Sequence, residues 1–418
     1  MCNADGGTNS RAYRSESESD SRRGPELPES GIKWAAPDGG GMARLTAADR
    51  ERVAAVFDRH LEVGLHEGAQ LAVYVDGERE LDLAGGRTGP DGDETAPDTR
   101  HVVFSCTKPY AGAAVHALVE DGDLSYDDRL VDHWPEFADE GSEKADITVR
   151  HVLSHTAGIP FGEFDARPQD WTDWDAVVEA MEAIDPVFPP GEQPAYHAMN
   201  YGWLVGELVR RVSGQHVDEF VADRVFDPLG MDRSTIGLGP DEADDVATLS
   251  GYSEFDRCRD PGEGLDGETS DSASLFNKEP VHRAVIPAAG GISTARDMAR
   301  FYACLANGGE LDGTRILEAS TVDRMTTTVA ETEDDGTLNR PMRYGLGVWT
   351  GGLVADQFGT LSPERVFGHV GLGSIVGWAD PAEDVGFAYV TNGIREESHE
   401  HAARVNAMAD AVRTVLRE

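Results

Sequence analysis

A serine and a lysine three residues apart are the first residues whose types and spacing could do chemistry. Ser105 and Lys108 lie in Ser-Cys-Thr-Lys, between an apolar segment ending at Phe104 and a helical pattern. Positions i and i+3 share a helix face, so the amine can reach the hydroxyl. A desolvated amine has a lowered pKa and can take the proton of a serine nucleophile. The alternative is a helix cap beside a solvated lysine, since this spacing arises by chance in about one chain in five.

A second serine lies in a related context further along the chain. Ser293 is part of Gly-Ile-Ser-Thr-Ala, residues 291–295, which is one residue short of the G-x-S-x-G elbow of α/β hydrolases. That elbow needs a buried strand before the serine, whereas Pro287 and two glycines precede this one. A helical pattern begins at Thr294. We therefore interpret Ser293 or Thr294 as a helix N-cap.

Several ordered motifs around Ser105 resemble one hydrolase family. Residues 147–158, Ile-Thr-Val-Arg-His-Val-Leu-Ser-His-Thr-Ala-Gly, resemble the I-T-[IV]-R-x-L-L-x-H-T-[SA]-G signature of the serine β-lactamase-like hydrolases. That family includes class C β-lactamases, D-Ala-D-Ala carboxypeptidases and family VIII esterases. The resemblance covers nearly everything after Met42 and continues through 190–191, 196, 201–214, 227–231, 286–300 and 367–373. Inside this signature His151 and His155 are packing residues rather than metal ligands, and Cys106 is interpreted as a small packing residue.

The resemblance implies a catalytic group built on Ser105 as nucleophile. Lys108 and Tyr196 would share the role of base, since Tyr196 occupies the first position of the family's Tyr-x-Asn motif. The third position of that motif is Ala198, which removes an amide that would hold a peptide or lactam group. Asn200 lies two residues further on and is out of register.

The family's third motif, Lys-Thr-Gly in lactamases and peptidases, becomes His369-Val-Gly371 here. A lysine at that place is a permanent cation for a substrate carboxylate, whereas histidine is mostly neutral at pH 7. Many esterases of the family carry H-x-G. We expect His369 and Gly371 to line the pocket, and the backbone N–H of Leu372 to form the oxyanion hole with that of Ser105.

The motifs together predict a serine hydrolase that forms an acyl-enzyme at Ser105. The expected substrate is a small neutral carboxylic ester, and no metal or organic cofactor is required. A β-lactamase or D-Ala-D-Ala-type peptidase is the alternative within the same chemistry. A non-catalytic binding protein with this fold is the alternative of another class, although the joint presence of Ser105, Lys108 and Tyr196 argues against it.

The elements that must position these residues indicate an α+β fold. Apolar spacing predicts a helix from Thr46 to about Glu67, a β-hairpin over 71–84 on a type I′ turn at Asp76-Gly77, and helices over 111–121, 203–212 and 402–416. Strands are predicted over 344–349, 366–369, 374–379 and 385–390, and a surface loop over 251–274. We therefore expect a β-lactamase-like fold, with an α/β part over 42–110 and 287–418 and an inserted all-helical part over 111–286. Residues 1–41 are expected to be a disordered tail.

Composition excludes several kinds of partner. The 418 residues include 36 basic and 77 acidic side chains, for a net charge of −41, and only four of the basic residues are lysines. Such a surface repels phosphate and anionic lipid, which argues against nucleic acid and membrane partners. It resembles the composition of cytoplasmic proteins from extreme halophiles. No apolar run approaches the ~18 residues of a membrane span and none resembles a signal peptide, so a cytoplasmic location is expected.

Overall fold

The computed structural model describes residues 33–34, 44–252, 271–353, 356–373, 375–395 and 398–417. The strands are β1 (Lys33–Trp34), β2 (Gly68–Val75), β3 (Glu78–Gly86), β4 (His101–Val102), β5 (Thr235–Ile236), β6 (Ser250–Tyr252), β7 (Gly291–Ser293), β8 (Glu310–Leu311), β9 (Thr314–Arg315), β10 (Ala330–Thr332), β11 (Met342–Tyr344), β12 (Trp349–Thr350), β13 (Phe367–Gly371), β14 (Ile375–Asp380), β15 (Val385–Thr391) and β16 (Gly393–Arg395).

The α-helices are α1 (Ala47–Glu62), α2 (Lys108–Asp121), α3 (Leu130–His133), α4 (Val149–Leu153), α5 (Trp174–Ala183), α6 (Asn200–Ser213), α7 (Val217–Val221), α8 (Asp227–Leu229), α9 (Asp271–Phe276), α10 (Glu279–Arg283), α11 (Ala295–Ala306), α12 (Ala319–Thr326) and α13 (Ser398–Arg417). A π-helix spans Ala222–Phe226, and 3-10 helices span Phe104–Thr107, Pro135–Phe137, Glu143–Asp146, Glu163–Ala166 and Pro168–Asp170.

A nine-stranded antiparallel sheet joins the early and late parts of the chain. Its strand order is β1-β3-β2-β15-β14-β13-β12-β11-β10. The junction is the pairing of β2 with β15, in which Gln70 lies opposite Val390. Helices α1 and α13 share an apolar core with one face of the sheet, and α11 packs against the other. A Cβ on Gly386 would lie 2.3 Å from the Ala303 nitrogen, so glycine is needed where α11 meets β15.

The predicted hairpin and its turn are confirmed. Asp76 and Gly77 both have positive φ, 51° and 81°, as a type I′ turn requires. The predicted strand over 344–349 is wrong, because the chain reverses there. Gly345 donates a backbone hydrogen bond to Val348 at 2.9 Å, and Tyr344 pairs with Trp349 across the resulting connection between β11 and β12.

The middle of the chain supplies most of the short helices. These pack into a continuous apolar core that includes Trp134, Tyr201 and Trp203, all fully buried. The segment 111–286 also contributes two short strands, β5 and β6, so it is not purely helical. The expected α+β architecture is confirmed, whereas the division into separate parts stays a prediction.

The expected tail and the acidic loop fall mainly on residues outside those described. Within 1–41 the described pair Lys33 and Trp34 forms β1, which pairs with Ala84 and Leu83 of β3, so this part of the expected tail is a strand. Among the described residues, no helix is both long and apolar enough to cross a membrane.

Candidate active site

Ser105 lies in the turn that connects β4 to α2. The 3-10 helix Phe104–Thr107 begins with Phe104 at φ 47°, a left-handed conformation that costs on the order of 1–3 kcal/mol for a non-glycine residue. The Thr107 hydroxyl secures this turn by accepting the backbone N–H of Gly291 at 2.8 Å. Ser105 is the one partly exposed residue in an otherwise buried stretch, 101–118. Its hydroxyl is therefore the accessible polar group of this turn.

Lys108 extends from the first turn of α2 toward that hydroxyl. Its Nζ lies 3.2 Å from Ser105 Oγ and donates to the carbonyls of Ala198 at 2.7 Å and Ala288 at 3.0 Å. All three partners are neutral oxygens. The side chain is fully buried, and burial holds the pKa of its amine well below the usual range. Lys108 is thus prepared to exist as a neutral amine and to accept a proton from Ser105.

Tyr196 lies beside this pair, on the segment that precedes α6. The Lys108 Nζ is 4.8 Å from the centre of its ring. Burial raises the pKa of the Tyr196 phenol, although the neighbouring Ser105 hydroxyl acts to lower it. Among the described residues the phenolic oxygen has no hydrogen-bond partner of normal geometry. Its hydroxyl is therefore available to a ligand or to Ser105.

Strand β13 brings His369 and Gly371 to the same place. The Cys106 thiol donates to the His369 carbonyl at 3.3 Å, which ties the strand to the nucleophile turn. A Cβ on Gly371 would lie 2.5 Å from the Val103 carbonyl oxygen, so only glycine allows β13 to approach so closely. Leu372 follows at the end of the strand with its side chain 38% exposed.

The His369 side chain faces the buried interior of the site. Its Nδ1 lies 2.7 Å from the Val370 carbonyl and acts as a donor, which leaves Nε2 as an acceptor. No described group hydrogen-bonds to Nε2. Burial holds the pKa of this imidazole well below its usual range. His369 is therefore neutral, as the sequence predicts for a site without a permanent cation in the third motif.

The structure places the other candidate groups outside the reaction. His155 and His197 are buried and joined, because the His197 backbone N–H donates to His155 Nδ1 at 3.0 Å, and burial lowers the pKa of His197 to about 4. Among the described residues no group of three or more His, Cys, Asp or Glu side chains could hold a metal ion. Burial raises the pKa of the Cys106 thiol, so it is not a reactive thiolate.

Ser293 is completely buried and belongs to a different network. Its hydroxyl lies 2.8 Å from that of Ser234 and 3.3 Å from the Thr294 carbonyl oxygen. Thr294 is the N-cap of α11 and accepts the Asp297 backbone N–H, as predicted. A short buried strand, β7, does precede Ser293, contrary to the expectation from Pro287 and the glycines.

Four residues near the site were not found by sequence reasoning. Asp165 interacts electrostatically with Lys108, and burial raises the pKa of its carboxyl to about 6. Asp335 accepts the Tyr196 backbone N–H at 3.0 Å. The Trp349 ring centre lies 4.6 Å from that of His369, and the Arg340 guanidinium carbon lies 5.2 Å from the Trp349 ring. None belongs to a motif, so their spacing carried no signal.

Comparison with known proteins identifies the family of this chain. The family described as beta-lactamase matches residues 53–411. The esterase/beta-lactamase LipL of Mycobacterium tuberculosis is 33% identical over 352 residues, which are 78% of this chain and 77% of that protein.

Solved structures of two proteins superpose on most of this chain. A penicillin-binding protein homolog from Caulobacter crescentus superposes with a TM-score of 0.73 at 30% identity, covering 90% of this chain and 100% of that one. A family VIII carboxylesterase superposes with a TM-score of 0.74 at 28% identity, covering 91% and 100%. The chain therefore belongs to the beta-lactamase family and is a serine hydrolase of the group that includes esterases and peptidases.

Proposed function

We propose that this protein is a carboxylesterase that forms an acyl-enzyme at Ser105. The observation that carries the proposal is the 3.2 Å contact between the Ser105 hydroxyl and the Lys108 amine, which is buried among neutral oxygens. A lysine in such surroundings gains little from keeping its charge, so it can serve as the base that a serine nucleophile needs.

In the proposed reaction the Ser105 oxygen attacks the ester carbonyl and its proton passes to Lys108, directly or through Tyr196. The carbonyl oxygen becomes an oxyanion held by the backbone N–H groups of Ser105 and Leu372. The C–O bond to the alcohol then breaks, and the alcohol leaves with the proton. Water, activated by the same bases, attacks the acyl-enzyme and releases the acid and free Ser105.

The groups around the reacting carbonyl favour an ester that is neutral there. His369 supplies no charge for an adjacent carboxylate, because burial keeps it neutral. At position 198 the alanine side chain offers no amide, and its carbonyl is already occupied by Lys108. Asn200 does not replace the missing amide, since its Nδ2 donates to the Ile159 carbonyl at 2.9 Å inside the protein.

A fluorophosphonate probe tests this proposal directly. Intact-mass analysis in high salt should show one adduct on the wild-type protein and on Ser293→Ala, and none on Ser105→Ala. An unmodified wild-type protein would favour a non-catalytic binding protein. The relative named esterase/beta-lactamase makes lactam hydrolysis the second candidate, and a comparison of substrates decides between them.

A further inference from the structure

One half-buried cation beside the site lacks a partner of opposite charge. Within the described part of the chain, neither a carboxylate ion pair nor a hydrogen bond engages the Arg340 guanidinium, and its close contact is the Trp349 ring at 5.2 Å. In a protein with a net charge of −41, carboxylates are abundant. An unpaired, partly desolvated guanidinium is therefore a costly feature that a bound anion would relieve.

The carboxylates nearest to Arg340 are already satisfied by other donors. Asp335 accepts the backbone N–H groups of Tyr196, Thr337 and Leu338, and also the Tyr344 hydroxyl at 2.8 Å. Asp356 accepts the N–H groups of Gly352 and Phe358. Both carboxyls lie near enough to raise the pKa of Arg340 against the lowering by burial, but neither forms an ion pair with it.

Arg340 also differs from Arg343 and Arg365, two other arginines that precede the H-x-G motif in sequence. Arg343 is bound to Glu364 at 2.8 Å and donates to the Gly351 carbonyl at 2.7 Å. Arg365 is bound to the buried Asp380 at 2.7 Å. These two cations are neutralised within the fold, whereas Arg340 is able to meet an external anion.

The position of Arg340 connects it to the catalytic group. The Trp349 ring lies 4.6 Å from the His369 ring and 5.6 Å from the Tyr196 ring. The Arg340 charge acts on both of these residues: it adds to the lowering of the His369 pKa by burial, and it opposes the raising of the Tyr196 pKa by burial. Trp349 of β12 pairs with Tyr344 of β11, and Arg340 lies two residues before the start of β11. The Arg340 guanidinium contacts the Trp349 ring from this position.

A small pocket is lined by Arg340, Trp349, Gln357 and Asp356 among others, and the Asp356 carboxylate is already bound to the backbone N–H groups of Gly352 and Phe358. The Trp349 indole N–H is buried and has no acceptor among the described residues. A guanidinium and an indole N–H are both donors, so the chemistry they offer together is that of a site for an anionic oxygen.

We propose that Arg340 binds a carboxylate at the far end of the substrate, so that the preferred esters are acid monoesters with a carboxylate several bonds from the reacting carbonyl. This proposal rests on the proposed esterase function and names its substrate class. The proposal is compatible with a neutral His369, because Arg340 would contact the far carboxylate whereas His369 lies beside the reacting carbonyl.

The test compares monomethyl glutarate with its neutral diester, dimethyl glutarate, in the same high-salt buffer, with rates expressed per ester group. Wild-type kcat/KM should be at least tenfold higher on the monoester. Arg340→Gln should lose this preference, with kcat/KM falling at least tenfold more on the monoester than on dimethyl glutarate, and Arg340→Lys should keep part of it. Arg324→Gln removes the same charge from an exposed position on α12 and should leave the preference unchanged.

A binding measurement separates the two proposals. In the Ser105→Ala background, saturation-transfer NMR should detect monomethyl glutarate, and the signal should disappear when Arg340→Gln is added. Arg340-dependent binding without any Ser105-dependent hydrolysis would overturn the esterase proposal and keep the anion site. Equal wild-type rates on the two esters, or an equal loss on both in Arg340→Gln, would overturn the role of Arg340.

Discussion

Ser105 and Ser293 occupy neighbouring and locally similar places, yet only one resembles a nucleophile in its surroundings. Their strands, β4 and β7, pair in one small sheet, and a helix follows each serine. Ser105 is partly exposed and faces the Lys108 amine. Ser293 is fully buried, and its hydroxyl is bound to Ser234 and to the Thr294 carbonyl.

The difference shows that a strand–serine–helix pattern does not by itself make a nucleophile. What distinguishes Ser105 is a base within hydrogen-bond distance and an open side from which a carbonyl can approach. At Ser293 the adjacent groups are a hydroxyl and a carbonyl, and neither is a base for the serine proton. Mutation, choice of substrate and salt each test this difference between the two serines, and the largest effect is expected from mutation.

The first expected effect is on esterase activity. Ser105→Ala should lower kcat on p-nitrophenyl butyrate by about 10³-fold or more, because it removes the nucleophile. Ser293→Ala should stay within threefold of wild type, and its loss of a buried hydrogen bond should cost about 1 kcal/mol of unfolding free energy. An inactive Ser293→Ala beside an active Ser105→Ala would reverse the comparison and restore the elbow interpretation.

The second expected effect concerns which substrate reacts faster at Ser105. Nitrocefin carries a carboxylate close to its reacting carbonyl, where lactamases and peptidases provide a lysine and an asparagine. Here those places hold His369 and Ala198, so two favourable contacts are lost, worth roughly 2.5–6 kcal/mol together. We expect kcat/KM on p-nitrophenyl butyrate to exceed that on nitrocefin by at least about 10²-fold in the same buffer. Comparable values would contradict the ester assignment.

The smallest expected effect on the reaction itself comes from salt. The contacts of both serines are short and enclosed, so ions screen them little, whereas the exposed carboxylates repel one another strongly. Raising KCl from ~0.1 M to ~2 M should raise the melting temperature steeply, while kcat per folded molecule changes little. A flat melting profile, measured by calorimetry, would leave the halophile prediction without support.

The sequence was most informative where motif and periodicity agreed. The helix predicted over 203–212 is confirmed as α6, which ends at Ser213 and is followed by Gly214 at φ 77°. The strand predicted over 344–349 was wrong because two glycines lie within the apolar alternation, and Gly347, at φ 85°, allows the chain to reverse. Periodicity reports which side chains alternate, but it does not report where a backbone turns.

The candidate site was predictable only along its motifs. Ser105 and Lys108, Tyr196, and His369 come from three separate segments, and the order of the motifs predicted that they meet at one site. Arg340 and Asp165 were missed, since a charged residue in an acidic sequence has no signature until the fold decides whether it is paired. Partnership in three dimensions, rather than residue type, distinguishes Arg340 from Arg343.

The pairing of β2 with β15 has a consequence for how the protein is made. Val73 lies opposite Phe387, a partner more than 300 residues away, and β13 reaches the nucleophile turn from the same late part of the chain. Contacts of such long range close slowly, and synthesis releases the C-terminal strands last. A nascent chain that already carries Ser105 and Lys108 therefore has no assembled site, and hydrolytic activity should appear only after the ribosome has released β13 to β15.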